Sequence, residues 1–495
     1  TSTGGAPLKQ STAASLPGVA NVQVDDELAG GAPQSEAPLT NVSPGVGQGT
    51  PQRRESGGTQ VLAPAEPGDG GIGSESSQEV GNPSRKAQRT SDVVTLDADA
   101  RFQRRDVGGP IQPGNTRARD ARPAFERRKN SKPVPSKPGA KSRHLEVAIQ
   151  SGLEFLRLQQ SDNGGWSFHN FPAAQDGSLQ DEIAQVHADT AATGLTLMSF
   201  LGAGYDHFDY GGEYTQEVQA GLDYLVKNQK DNGDLYVPQD AISNRSAALY
   251  SHAIATMALC EAYGMTHDPK LKLPAQKALQ YVVDTQHEDR GGWRYLAKSS
   301  SDLSVTGWMF VALKSGKLAG LEVPEESLNA ALGYLDRCQG NTNGENGYVY
   351  NPDALDTPTQ RLGRDVTRPM SAVGLLMRLY QGRDRSDAEI RAGADFLMQQ
   401  PPAYYAGQRD TYYWYYATQV MFHMKGDYWE KWQLQLHELL RDTQEKQGPL
   451  AGSWNPRGPV PDRWGAQGGR IYVTTMNLLS LEVSYRYLPL YVEVE

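Results

Sequence analysis

Apolar residues recur at i, i+3, i+4 and i+7 in twelve successive segments of the second part of the chain. Gly, Pro, Asn or Asp turns punctuate these segments. The periodicity predicts helices over 144–161, 188–204, 214–229, 245–265, 272–286 and 303–320, then over 324–339, 367–382, 386–400, 411–425, 427–447 and 470–488. Strand signals between them are weak. The even-numbered segments are apolar or small nearly all round, as in Ala191–Phe200 and Ser251–Cys260, so they are expected to be inner helices.

The segments also repeat. Gly152–Gln160 leads to Asp162-Asn-Gly-Gly-Trp166, and Ala278–Gln286 leads to Asp289-Arg-Gly-Gly-Trp293. Gly221–Gln229, Ala331–Gln339 and Gln444 to Trp454 carry weaker copies, and Gly393–Gln400 has lost its turn. Glycine permits a left-handed helix stop, glutamine can bond the turn backbone, and the aromatic ring can plug the helix end. Six such two-helix units can stack openly or close into a ring. The apolar inner helices favour closure, and the expected fold is all-α, an (α/α)6 toroid.

Residues 1–143 show no lasting period and read as a disordered arm. Residues 1–100 hold 12 acidic against 6 basic residues, and 101–143 hold 13 basic against 3 acidic. With a whole-chain charge of −10, the body over 144–495 is left at about −14. The basic stretch has only two aromatics, Phe102 and Phe125, and reads as a solvated linker along its own acidic body. No nucleic-acid partner is expected. Such an arm often tethers a body to something before it, so an anchor or signal segment upstream of Thr1 and an extracytoplasmic location are expected. Two cysteines exclude a disulfide scaffold. No motif calls for a cofactor or a metal.

The Gln…Gly-x-Trp unit is similar to the repeat of squalene–hopene and oxidosqualene cyclases. The body resembles the terpenoid-cyclase and protein-prenyltransferase superfamily of (α/α)6 toroids. It also resembles single-toroid squalene-cyclase-like proteins of bacteria, through Gly291-Gly-Trp-Arg-Tyr295, Ser304-Val-Thr-Gly-Trp308, Tyr412–Gln419 and Trp464–Arg470. The resemblance implies a central cavity. It also implies an Asp-x-Asp-Asp acid motif, whose nearest match is Val186-His-Ala-Asp-Thr-Ala191. Only Asp189 of the three acids is kept, and Val186 and Ala188 replace the others.

In a toroid, inner-helix N-termini and their preceding loops line one mouth. Asp189, Asp302 and Asp410 stand there, either as N-caps or as acids facing the lumen. His187, His252, Ser304, Thr306, Trp308, Arg364, Arg368, Tyr412, Tyr413, Trp414, Tyr416, Gln419, Trp464, Arg470 and Tyr472 are the further candidates for the cavity wall. Three functions fit: a binding or scaffold toroid whose aromatic cavity holds an apolar, isoprenoid-like or glycan-like ligand or a partner without turnover, an isoprenoid cyclase or isomerase using an inner-helix Asp, and a glycan-active lyase or hydrolase. Cavity polarity separates them.

Overall fold

A computed structural model describes Phe125 and residues 140–486, apart from 209–211, 358–359 and the side chains of 140–143 and 485. The expected arm therefore lies outside the described residues, with two exceptions. Phe125 is buried with its ring against Gly264, and the first helix begins at residue 140, before the boundary expected at 144.

The helices are α1 (Ala140–Leu158), α2 (Asp189–Gly202), α3 (Thr215–Asn228), α4 (Ala241–Ser246), α5 (Ala248–Thr266), α6 (Pro269–Asp284) and α7 (Leu303–Leu318). They continue as α8 (Glu325–Arg337), α9 (Arg368–Gln381), α10 (Ala388–Met398), α11 (Thr411–Met424), α12 (Gly426–Thr443), α13 (Gly465–Leu481) and α14 (Val483–Arg486). All twelve expected segments are present. The last of them, expected over 470–488, is split into α13 and the short α14, and the short α4 and one hairpin, β1 (Gln339–Thr342) with β2 (Glu345–Tyr348), are additions.

The two helix classes separate by burial. Helix α6 buries one stripe, Leu271, Ala275, Ala278, Leu279 and Val282, at helical spacing. Helix α2 buries every residue after Asp189. The inner helices α2, α5, α7, α9, α11 and α13 each pack on the next, and α13 returns to pack on α2. The ring is closed, and α1, α3, α6, α8, α10 and α12 surround it.

The repeat supplies the joints of this ring. Gln286 Nε2 donates to the turn carbonyl of Gly291 at 2.6 Å and to Ser327 O in the next outer helix at 2.9 Å. Gln160 joins Gly164 O to Glu217 O, Gln229 joins Gly233 O to Pro274 O, and Gln444 joins Gly452 O to Ala148 O. The last bond links the sixth unit to the first. Each Gln therefore bonds its own turn and also staples neighbouring outer helices.

The tryptophans cap. The final carbonyls of a helix lack intrahelical partners. Trp166, Trp293 and Trp454 donate their indole N–H to Leu156 O, Val282 O and Leu440 O at 2.7, 2.8 and 2.9 Å. Their backbone N–H groups donate to Thr193, Thr306 and Thr474 on the inner helices. Gly164, at φ +88°, shows why the turn needs glycine: a Cβ there would sit 2.6 Å from the Ala220 carbonyl oxygen. In the fourth unit, by contrast, the turn opens into the β1–β2 hairpin, and Gln339 instead donates to Glu389 at 2.5 Å.

The ring is plugged where the inner helices end. Arg486 of α14 is fully buried and donates to Glu261 of α5 at 2.6 Å and to Tyr415 of α11 at 3.3 Å. Tyr415 stacks under Trp308, with ring centroids 5.6 Å apart and planes 12° from parallel. The open part of the axis is thereby confined to the half where the inner helices begin.

Candidate functional site

That half holds a cavity of about 170 Å³. At about 30 Å³ per water, it has enclosed room for on the order of six non-hydrogen atoms, comparable with a cavity of about 150 Å³ that holds one benzene. Its wall is mainly apolar and aromatic. Phe168, Leu195, Ile254, Trp308, Met370 and Tyr472 form much of it, with Tyr250, Tyr350, Tyr412 and Trp464 showing it a ring and a polar tip. Ser246, Ser251, Ser304, Gln467 and Arg463 complete the polar set.

The hydroxyls are tied to one another. Tyr250 Oη donates to Ser304 Oγ at 2.7 Å, and Ser304 Oγ lies 2.8 Å from Tyr412 Oη. Tyr295 Oη and Tyr350 Oη are 2.5 Å apart. Burial pushes the Tyr250, Tyr350 and Tyr412 phenols well above the ordinary tyrosine range, so all stay protonated.

Behind this wall stands Asp302, with none of its surface exposed. It caps α7, its Oδ1 accepting from Val305 N–H at 2.8 Å. Its Oδ2 lies 3.8 Å from Arg294 Nε, and the Tyr350 phenol bonds the carboxyl closely enough to oppose the rise in its pKa. Burial raises its carboxyl to about 6 despite the opposing pull of Arg294. Across the ring, Asp410 caps α11 through Tyr413 N–H, with Arg463 Nε 3.8 Å away. Asp462 accepts from Thr411 and Trp464 N–H. Burial, and then the Asp410 charge, raise Asp462 to about 6. Asp189 is different. It is partly exposed, opens α2 and accepts from Gln239 Nε2 at 3.0 Å.

Of the wall candidates, Ser304, Trp308, Tyr412, Trp464 and Tyr472 line the cavity. Tyr416 lies one layer further in, packed on Trp308 and Tyr412. His187 stands at the rim beside the lining residues Val186 and Ala188.

The others sit elsewhere. His252 accepts from Leu235 N–H at 3.2 Å and bonds Ala278 O at 3.0 Å, filling the place that Thr306 fills under Trp293. Burial lowers its pKa to about 4, so it serves the repeat as a neutral ring. Tyr413 donates to Leu397 O and Gln400 O of the outer layer. Trp414 is buried in the core, and Gln419 accepts from Tyr380 Oη. Arg470 is buried against Glu182 and Ser453. Arg368 lies over the Phe396 ring, and Arg364 pairs with Asp356 at the surface.

Phe168, Tyr250, Tyr350, Arg463 and Gln467 were not among the candidates. A signal existed for two of them. Phe168 and Tyr350 each stand two residues after the repeat's aromatic position, Trp166 and Tyr348.

No family model matches the chain. It is 25% identical over 226 residues to a probable squalene–hopene cyclase of Sinorhizobium fredii, covering 40% of this chain and 30% of that protein. It is 25% identical over 206 residues to a squalene–hopene cyclase of Zymomonas mobilis, covering 37% and 28%. The match thus spans under a third of the length of either relative. Among solved structures, a type II terpene cyclase from Scytonema aligns over 70% of this chain and 98% of its own, at 12% identity and TM-score 0.44. An α-1,6-mannanase from Salegentibacter aligns over 69% and 99%, at 11% identity and TM-score 0.42. In helix order the described body is a closed α–α toroid, and part of its sequence is similar to squalene–hopene cyclases.

Proposed function

We propose that the toroid binds an apolar, isoprenoid-like molecule, with the central cavity enclosing part of its chain. The supporting observation is the wall, where rings and aliphatic groups dominate and the one charged lining residue, Arg463, lies near Asp410. Sugars need many directed polar partners, and this wall offers few. Titrating the full chain with a fifteen-carbon isoprenoid alcohol should quench its tryptophan fluorescence saturably. Trp308→Ala should weaken that binding. Saturable binding of mannose oligosaccharides with none of the isoprenoid would overturn the reading.

One observation favours a second, catalytic reading. Asp302 is buried beside the wall, holds its proton to about 6, and has an oxygen beside the Tyr350 phenol that lines the cavity. Such an acid can protonate an alkene through Tyr350, and loss of a neighbouring proton back to the protein gives the isomerised alkene. Turnover in heavy water should then place deuterium in the recovered isoprenoid, and Asp302→Asn should stop it. Unlabelled ligand after saturating binding would leave the protein a binder only.

A further inference from the structure

Two histidines stack at the rim. His169 and His187 have ring centroids 3.7 Å apart and planes 15° from parallel. Their loops also give Phe168, Val186 and Ala188 to the cavity wall. His187 Nδ1 lies 3.2 Å from Asp240 Oδ2, and His169 Nδ1 lies 3.1 Å from Ser167 Oγ and 3.6 Å from Asp189 Oδ1. Asp240 is itself held as the cap of α4, and Ser243 Oγ donates to its Oδ2 at 2.6 Å.

This arrangement fixes a tautomer. A carboxylate only accepts, so the His187 proton stands on Nδ1 and Nε2 keeps its lone pair. The His187 side chain is 37% exposed, so a ligand can reach it. Burial lowers the pKa of the stacked His169, which opposes a positive charge there. Asp189 Oδ1 is buried without a hydrogen bond. The charges that act on His169 are those of Asp189, His187 and Asp240. The rim therefore places the Asp189 and Asp240 carboxylates, both hydrogen-bond acceptors, beside the cavity wall. Among the described residues, no three His, Cys, Asp or Glu side chains are grouped to hold a metal ion.

We propose that this rim is a head-group subsite for an amphiphile whose polar end donates hydrogen bonds, an amine or an alcohol, with its tail in the cavity. A carboxylate or phosphate head meets Asp189 and Asp240 and is disfavoured. The proposal rests on the cavity holding an apolar tail.

Three probes with one fifteen-carbon isoprenoid tail test it, the primary alcohol, the amine and the carboxylic acid, titrated into the full chain by tryptophan quenching. At pH 7.5 the alcohol and the amine should each bind at least about tenfold tighter than the acid, the worth of one hydrogen bond to such a group. His187→Phe keeps a ring on His169 and should shrink that spread to under about threefold. An amine ahead of the alcohol marks the carboxylates as the main recognition element, and equality marks the imidazole. Equal binding of all three probes, or an unchanged spread in His187→Phe, would overturn the head-group subsite and leave the cavity reading intact. No saturable binding of any probe would overturn both.

Discussion

Replacing Asp302 by asparagine should stabilise the protein at pH 8 and leave it unchanged near pH 4. Burial raises the Asp302 carboxyl to about 6 in the folded state, against an ordinary 3.8. Between those values the folded protein holds a proton that the unfolded chain has released. Stability from this group is complete below about 3.8, falls as the pH rises through 6, and is flat beyond. The gap corresponds to about 3 kcal/mol, which the ionised group costs at pH 8. Asparagine mimics the protonated acid at every pH and keeps an oxygen for the cap on Val305 N–H. The expected gain in unfolding temperature is on the order of 5 °C at pH 8, shrinking to nothing by pH 4. Thermal unfolding of both proteins at pH 4, 6 and 8 reads it directly. Asp462 titrates in the same window, but it is present in both proteins and cancels in the difference. A difference between the two proteins that stays constant from pH 4 to 8 would refute the argument that burial governs this carboxyl.

The joints of the ring give further expectations. Gly164→Ala forces a Cβ against the Ala220 carbonyl at φ +88° and should cost more than about 2 kcal/mol, whereas Gly333→Ala, in an exposed helix position with nothing within 4 Å of the new atom, should gain about 0.5–1 kcal/mol. Urea midpoints measure both, and equal effects would dismiss the close approach. Gln286→Ala removes two bonds to carbonyls and one from the Ser327 hydroxyl, and should cost about 2–3 kcal/mol by the same measurement. Trp293→Ala, with its indole buried and capping Val282 O, should cost about 3–5 kcal/mol.

The helices were legible because their signals are local. Leu271, Ala275, Leu279 and Val282 of α6 announce one buried face through spacing alone. The Gln-to-Trp turn was legible as a helix stop, since Gly and Gln act within a few residues. What Gln286 does for Ser327, 41 residues away, depends on a neighbour that only the closed ring supplies. The same limit applied to the three acids. Asp189, Asp302 and Asp410 look alike as residues opening inner helices, and the difference among them is burial, which the surrounding loops decide. His252 looked like a lumen residue because it lies inside an inner helix. Its position matches that of Thr306, but recognising this required aligning a copy of the repeat that has Leu235 in place of Trp. Tyr350 was missed because its turn opens into a hairpin, hiding the two-residue offset it shares with Phe168.

The bond from Gln444 to Ala148 spans 296 residues and makes the last unit a neighbour of the first. An open stack of helix pairs has two ends that can fray, and its units can melt one after another. A closed ring has no such ends: every unit loses two interfaces when it opens, so loosening one weakens those on both sides. Unfolding should accordingly be cooperative across the whole body, and the slow event in folding should be the meeting of α1 with α12 and α13, the contact with the largest loop to close.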